Sequence, residues 1–156
     1  MYTTFKTNLL AAVLVGALGL FGTGCQTFNN NSIPDTLTSV TITNKSMADI
    51  DQAAAAVFAS HGFSGGQTAP NQFTYSRLGS RANNLSYGSY MFDEMVTIRI
   101  VVTLRQISPT AIVVACNAWM VEAADDPVFA DSHQVRQLRK WPYEQLMKDI
   151  RTQLGE

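Results

Sequence analysis

The chain has 156 residues, 46% apolar and 15% charged, with 11 Lys and Arg against 12 Asp and Glu. That is the size of one domain, whose core can remove roughly two-thirds of the unfolded surface from water. The aromatic and β-branched content excludes disorder, and a formal charge of −1 argues against a nucleic-acid binder, which carries a basic excess. Two cysteines are too few for a disulfide scaffold.

The first eight residues are polar and carry one positive charge, Lys6. Residues 9–21 read LLAAVLVGALGLF, thirteen positions without a charge. As a helix this run reaches ~20 Å, short of the ~30 Å hydrocarbon core of a bilayer. A charged start, a short apolar run and then small residues have the form of a secretory signal peptide. Gly22, Thr23, Gly24 and Cys25, followed by polar Gln26, resemble the lipobox of bacterial lipoproteins, with Gly22 where that family usually has a large aliphatic residue. The resemblance covers residues 1–25 and implies cleavage before Cys25, a diacylglycerol on its thiol and a further acyl chain on its freed amine. Gln26 is not Asp, the residue that favours inner-membrane retention in such lipoproteins. The resemblance therefore implies the outer membrane, with the protein facing the periplasm. Three acyl chains, at ~0.8 kcal/mol per buried methylene, make a stable anchor where one would be marginal.

Residues 26–36, QTFNNNSIPDT, are Asn-rich with little apolar content and read as a tether of ~20 Å r.m.s. reach. The expected organisation is thus a signal peptide over 1–24, a lipidated tether over 25–36 and one domain over 37–156. Loss of Lys6 takes the net charge to −2, which suits a domain surrounded by water.

Within the domain, Val40 and Ile42 alternate with Thr over 37–43, predicting a half-buried strand. Ser46 with Asp49 three residues on predicts a helix start, and Ile50, Ala53, Ala54, Val57 and Phe58 follow at helical spacing. Gly62 is suited to end that helix. Gly65 and Gly66 lack the Lys and helix start of a phosphate loop and read as a turn. Phe73 and Tyr75 predict a strand over 72–78. Over 95–107, Val96, Ile98, Ile100, Val102 and Leu104 share one face, with Thr97, Arg99, Thr103 and Arg105 on the other. After a Ser108, Pro109, Thr110 turn, residues 111–122 return as a strand apolar on both faces, which belongs in a sheet interior. A short helical piece is expected around 132–139. Pro142 then opens a helix with Tyr143, Leu146, Met147, Ile150 and Leu154 along one stripe. Val102, Cys116 and Ile150 should be buried.

The order β-α-β-β-β-α predicts an α+β fold, an antiparallel sheet with two helices packed on one face. It resembles the helix-on-sheet domains of several envelope lipoproteins, including those accompanying the outer-membrane protein assembly machine. No residue motif carries that likeness, so it transfers no function.

Residues for catalysis are sparse. The two histidines, His61 and His133, lie far apart, where a zinc site needs three or four ligands at close spacing. His61 precedes Gly62 at a helix C-terminus, which suits an imidazolium. His133 beside Asp131 and Ser132, with Asp125 and Asp126 upstream, has the residue types of a hydrolase but no GxSxG elbow. The acidic segment 122–131 lacks the spacing of a calcium loop and reads as solvated, with Asp131 capping the next helix. Arg136, Arg139 and Lys140 read as its local charge complement. Cys116 reads as a small buried hydrophobe, because Cys25 would carry lipid. No metal or cofactor is expected.

The reading that follows is a non-enzymatic, membrane-tethered binding or accessory module. Its alternatives are a small envelope hydrolase using His133 with Asp125 or Asp131, and a carrier holding lipid between helices and sheet. Its expected partners are the membrane, through the lipid, and an envelope protein. The connection 79–94, GSRANNLSYGSYMFDE, mixes adaptable Gly, Ser and Asn with aromatic Tyr87, Tyr90 and Phe92, and has Arg77 and Arg81 at its base. Such mixtures recur in binding surfaces. The opposing reading is an extended hairpin whose Tyr90 and Phe92 face the core.

Overall fold

The computed structural model describes residues 36–88, 95–125, 128 and 130–156, all within the unit Asn31–Glu156. Cys25, Tyr90, Phe92 and Asp126 lie outside the described residues.

The two longest period-two runs form the centre. Strands β4 (Thr97–Ser108) and β5 (Ala111–Glu122), twelve residues each, make an antiparallel hairpin that sets Ile100 against Ala118 and Val102 against Cys116. β3 (Gln72–Leu78) pairs with the free edge of β4, and β1 (Thr38–Thr43) pairs with the first half of β5. The sheet is antiparallel and six-stranded, in the order β1-β5-β4-β3-β2, where β2 is Ser64–Ala69, and β6 (Asp131–Gln134) also pairs with β5. β5 is therefore paired on both edges, as its apolar faces require. Ile98, Ile100, Val102 and Leu104 of β4 share one buried cluster with Ile112, Val114, Cys116, Ala118 and Met120 of β5.

Two helices cover that face. α1 (Met47–Ser60) starts at Ser46, whose Oγ accepts from Asp49 N while Ser46 N donates to Asp49 Oδ2, each at 3.1 Å. It ends at His61, with Gly62 at φ 77° taking the chain out of the helix. Ala53 and Ala54 are buried, and so short a face lets α1 lie close to the strands. Phe58 stacks on Tyr75 at 4.2 Å between ring centroids and meets Phe63 edge-on at 5.6 Å. α3 (Trp141–Gln153) buries Tyr143, Leu146, Met147 and Ile150 and packs against α1 and β1. Val102, Cys116 and Ile150 are fully buried. Burial pushes the Cys116 thiol up to about 12, so it stays protonated.

The α+β class, the antiparallel sheet and the one-sided helices agree with the sequence pattern, but the order β-α-β-β-β-α is incomplete. Two short strands and a short helix are added: β2 (Ser64–Ala69), β6 (Asp131–Gln134) and α2 (Arg81–Tyr87). Gly65 and Gly66 are thus part of an edge strand rather than a turn. A Cβ on Gly65 would meet Thr74 O at 2.0 Å, so the close approach of β2 to β3 requires glycine there. The expected helical piece over 132–139 is also corrected. Asp131 lies in β6, where it pairs with Glu122 instead of capping a helix. Only Gln137–Arg139 turns, as a single 3-10 turn. The open second half of β5 draws 131–134 into the sheet, because unpaired ladder groups beside a buried strand cost more than a weak helix gains.

Three expected outcomes follow. Ile100→Ala, at the sheet centre, should cost about 2–5 kcal/mol in chemical denaturation. Tyr75 is buried, and among the described residues its hydroxyl has no hydrogen-bond partner. Tyr75→Phe should therefore leave stability unchanged or raise it by about 1 kcal/mol, since it removes an unsatisfied group and keeps the stacked ring. Hydrogen bonds from the Ser46 side chain, then from its backbone, hold Asp49 below the usual carboxylate range. A depressed folded pKa contributes stability above the unfolded value, lost as pH falls through the folded one. Ser46→Ala should weaken this acid dependence in a stability–pH profile.

Candidate functional site

The connection after β3 begins with a tight stitch. Gly79 N donates to Val96 O at 2.7 Å, and a Cβ on Gly79 would meet that same oxygen at 2.7 Å, so the approach needs glycine. Ser80 and Asn83 then cap α2 reciprocally, as Ser46 and Asp49 do for α1. Asn84 Oδ1 accepts from Val96 N at 2.8 Å, tying the helix to the start of β4. α2 has no buried residue and stops at Gly88, whose N–H donates to Asn84 O.

Of the proposed contact residues that the structure describes, Tyr87, Arg77 and Arg81, the first two make separate contacts. Tyr87, half-buried, packs against the core and lies under the Arg139 guanidinium, 4.9 Å from its ring centroid. Arg77 turns elsewhere: Nη1 donates to His61 O at 2.9 Å and the guanidinium covers the Phe63 ring at 4.5 Å. Arg81 is exposed at the first turn of α2. Asn83 and Tyr143 stand between the two arginine contacts and line small hollows on both sides. Burial pushes the Tyr143 hydroxyl up to about 12, so it is neutral at ordinary pH.

The histidines make separate contacts. His61 Nε2 is 3.1 Å from Asp149 Oδ2 and links the end of α1 to α3. His133 Nε2 is 3.5 Å from Asp131 Oδ2, two residues away on the exposed β6. Alternation along a strand sends Ser132 to the opposite face, since it pairs with Val121 while His133 pairs with core-facing Met120. Ser132 is thus not placed to pass a proton to His133. Among the described residues there is no group of three His, Cys, Asp or Glu that could hold a metal ion.

The segment 135–142 holds what the sequence reading did not single out. Leu138 is 98% exposed and Trp141 71% exposed, and both line one hollow of about 360 Å³ with Tyr87 and Pro142. Arg136, Arg139 and Lys140 are exposed around them. Lys140 pairs with Glu144 at 3.0 Å, while Arg139 sits on Tyr87. The signal was present in RQLRKW, where a Leu and a Trp three apart are flanked by cations. Gln137 Nε2 donates to Thr36 O at 3.0 Å, so the start of the described chain lies beside this segment.

No protein-family model matches the chain, and no curated protein is significantly similar to it. The Tyr87–Arg139 contact can be measured directly. A double-mutant cycle with Tyr87→Leu and Arg139→Gln should give a coupling of about 0.5–1 kcal/mol in unfolding free energy.

Proposed function

We propose that the protein is a lipid-anchored component of the bacterial cell envelope whose domain serves as a non-enzymatic binding or accessory module. The observation that carries this reading is Gly22, Thr23, Gly24 and Cys25 directly after a thirteen-residue uncharged run too short to span a bilayer. Burial of Cys116 in β5, with its thiol held protonated, supports Cys25 as the lipidated residue. Cys25 then takes the lipid, and residues 26–36 tether the domain. With Gln26 after the cysteine, the destination is the outer membrane and the domain faces the periplasm.

The arrangement of β6 supports a binding module over a hydrolase. A serine hydrolase needs its nucleophile within hydrogen-bond reach of its base. Here Ser132 and His133 leave opposite faces of an exposed strand.

Intact-mass analysis of protein extracted from membranes should show a chain starting at an acylated Cys25, and Cys25→Ser should block processing so that residues 1–24 are kept. A mature form that still carries Lys6, or a Cys25→Ser variant cleaved as usual, overturns the anchor. A turnover that disappears on His133→Ala with the fold intact overturns the non-enzymatic reading.

A further inference from the structure

We infer that segment 136–141 is a membrane-contact face, whose cations meet the phosphates of anionic phospholipids while Leu138 and Trp141 enter the head-group region. The inference rests on the lipid-anchor reading above and adds an orientation to it. Leu138 and Trp141 sit three residues apart across a 3-10 turn, line the same hollow, and leave most of their surface in water. Arg136, Arg139 and Lys140 flank them in sequence, and among the described residues Glu144 pairs with Lys140. A local excess of positive charge around two exposed apolar side chains, on a chain of net charge −1, complements an anionic lipid surface. Trp suits such a boundary because its ring is apolar while its N–H remains a donor.

The position of the N-terminal end selects lipid over other occupants. Thr36 O accepts from Gln137, the residue before Leu138, and Thr36 and Leu37 line the same broad groove as Arg136 and Leu138. The tether therefore joins the domain at this face. A tether of the composition of residues 26–36 has an r.m.s. reach of ~20 Å, which keeps the face within range of the anchoring leaflet and turns a weak contact into an intramolecular one.

The test uses the full chain on vesicles, with Trp119→Phe so that Trp141 is the remaining tryptophan. Phosphatidylcholine vesicles with and without phosphatidylglycerol are compared, using phosphatidylcholine brominated in its acyl chains as quencher. Trp141 emission should shift to the blue and be quenched when phosphatidylglycerol is present. Arg136→Gln and Lys140→Gln should each lower the docked-to-free ratio about fivefold. The converse variant, Trp141→Phe, leaves Trp119 on the opposite sheet face, where it should stay unquenched. Emission unchanged by phosphatidylglycerol, or quenching of Trp119 instead, overturns the inference. So does a co-purifying protein that shields Trp141 while vesicles do not, since the face then belongs to that protein. Chain attachment is scored separately by co-flotation, and Cys25 acylation by mass. An unmodified Cys25 thus counts against the anchor, and an unquenched Trp141 on vesicle-bound chain counts against the face.

Discussion

The β4–β5 hairpin places Val102 opposite Cys116 with no solvent access, and the remaining elements are arranged around that pair. A strand apolar on both faces and flanked by turns cannot sit at an edge, because its ladder groups and side chains would both meet water. β4 satisfies one edge of β5 along its whole length. The other edge is shared end to end by β1 and β6, from opposite ends of the domain sequence. Helices cover one face, and Val113, Ala115 and Val121 on the other face of β5 are buried as well. On the helix side Ile98, Ile100, Val102 and Leu104 present a continuous apolar surface to α1 and α3, while Thr97, Arg99, Thr103 and Arg105 lie on the other.

The junction on the shared edge sets the position of the candidate membrane face. Between β1 and β6, Leu37 N donates to Cys116 O at 3.1 Å and to Asn117 Oδ1 at 2.9 Å, while Val135 N donates to Ala118 O at 2.9 Å. Leu37 and Val135 are both buried. Two chain segments separated by almost one hundred residues are thereby clamped to adjacent positions of one strand. The chain before Leu37 and the chain after Val135 must leave the sheet close together, and the Gln137–Thr36 bond records this. The nearness of the N-terminal connection to Leu138 and Trp141 is therefore a product of sheet topology.

What the sequence made legible follows from how much each element buries. β4, β5, α1 and α3 bury long periodic sets, so their periods of 2 and 3.6 are visible against any background. β2 reads SGGQTA and β6 reads DSHQ. Neither has a fully buried side chain, and both form because a neighbouring strand offers unpaired backbone groups. α2 likewise buries nothing fully, and RANNLSY lacks an apolar stripe. At the candidate site, Arg136, Arg139 and Lys140 were legible as cations, but Leu138 and Trp141 were not legible as surface. An apolar residue is assigned inside by default, and only the three-dimensional chain shows these two as exposed.

Leaving Leu138 and Trp141 in water forgoes about 1.5–3 kcal/mol for each large side chain that burial would supply. A domain of this size has only a few such increments to spare. Among the described residues, the neighbouring tyrosines are committed elsewhere: Tyr87 is held by Arg139 and the core, and Tyr143 turns inward on the first turn of α3. Leu138 lies in the 3-10 turn and Trp141 opens a helix with Pro142 in its first turn, so their backbone is already in regular structure. On meeting a surface only the side chains remain to be ordered. Under the lipid-anchor reading, the acyl chains supply attachment, so the face needs to supply only orientation. A contact that would be too weak to recruit a free domain is sufficient for that task, because the tether has already removed most of the cost of bringing the two together.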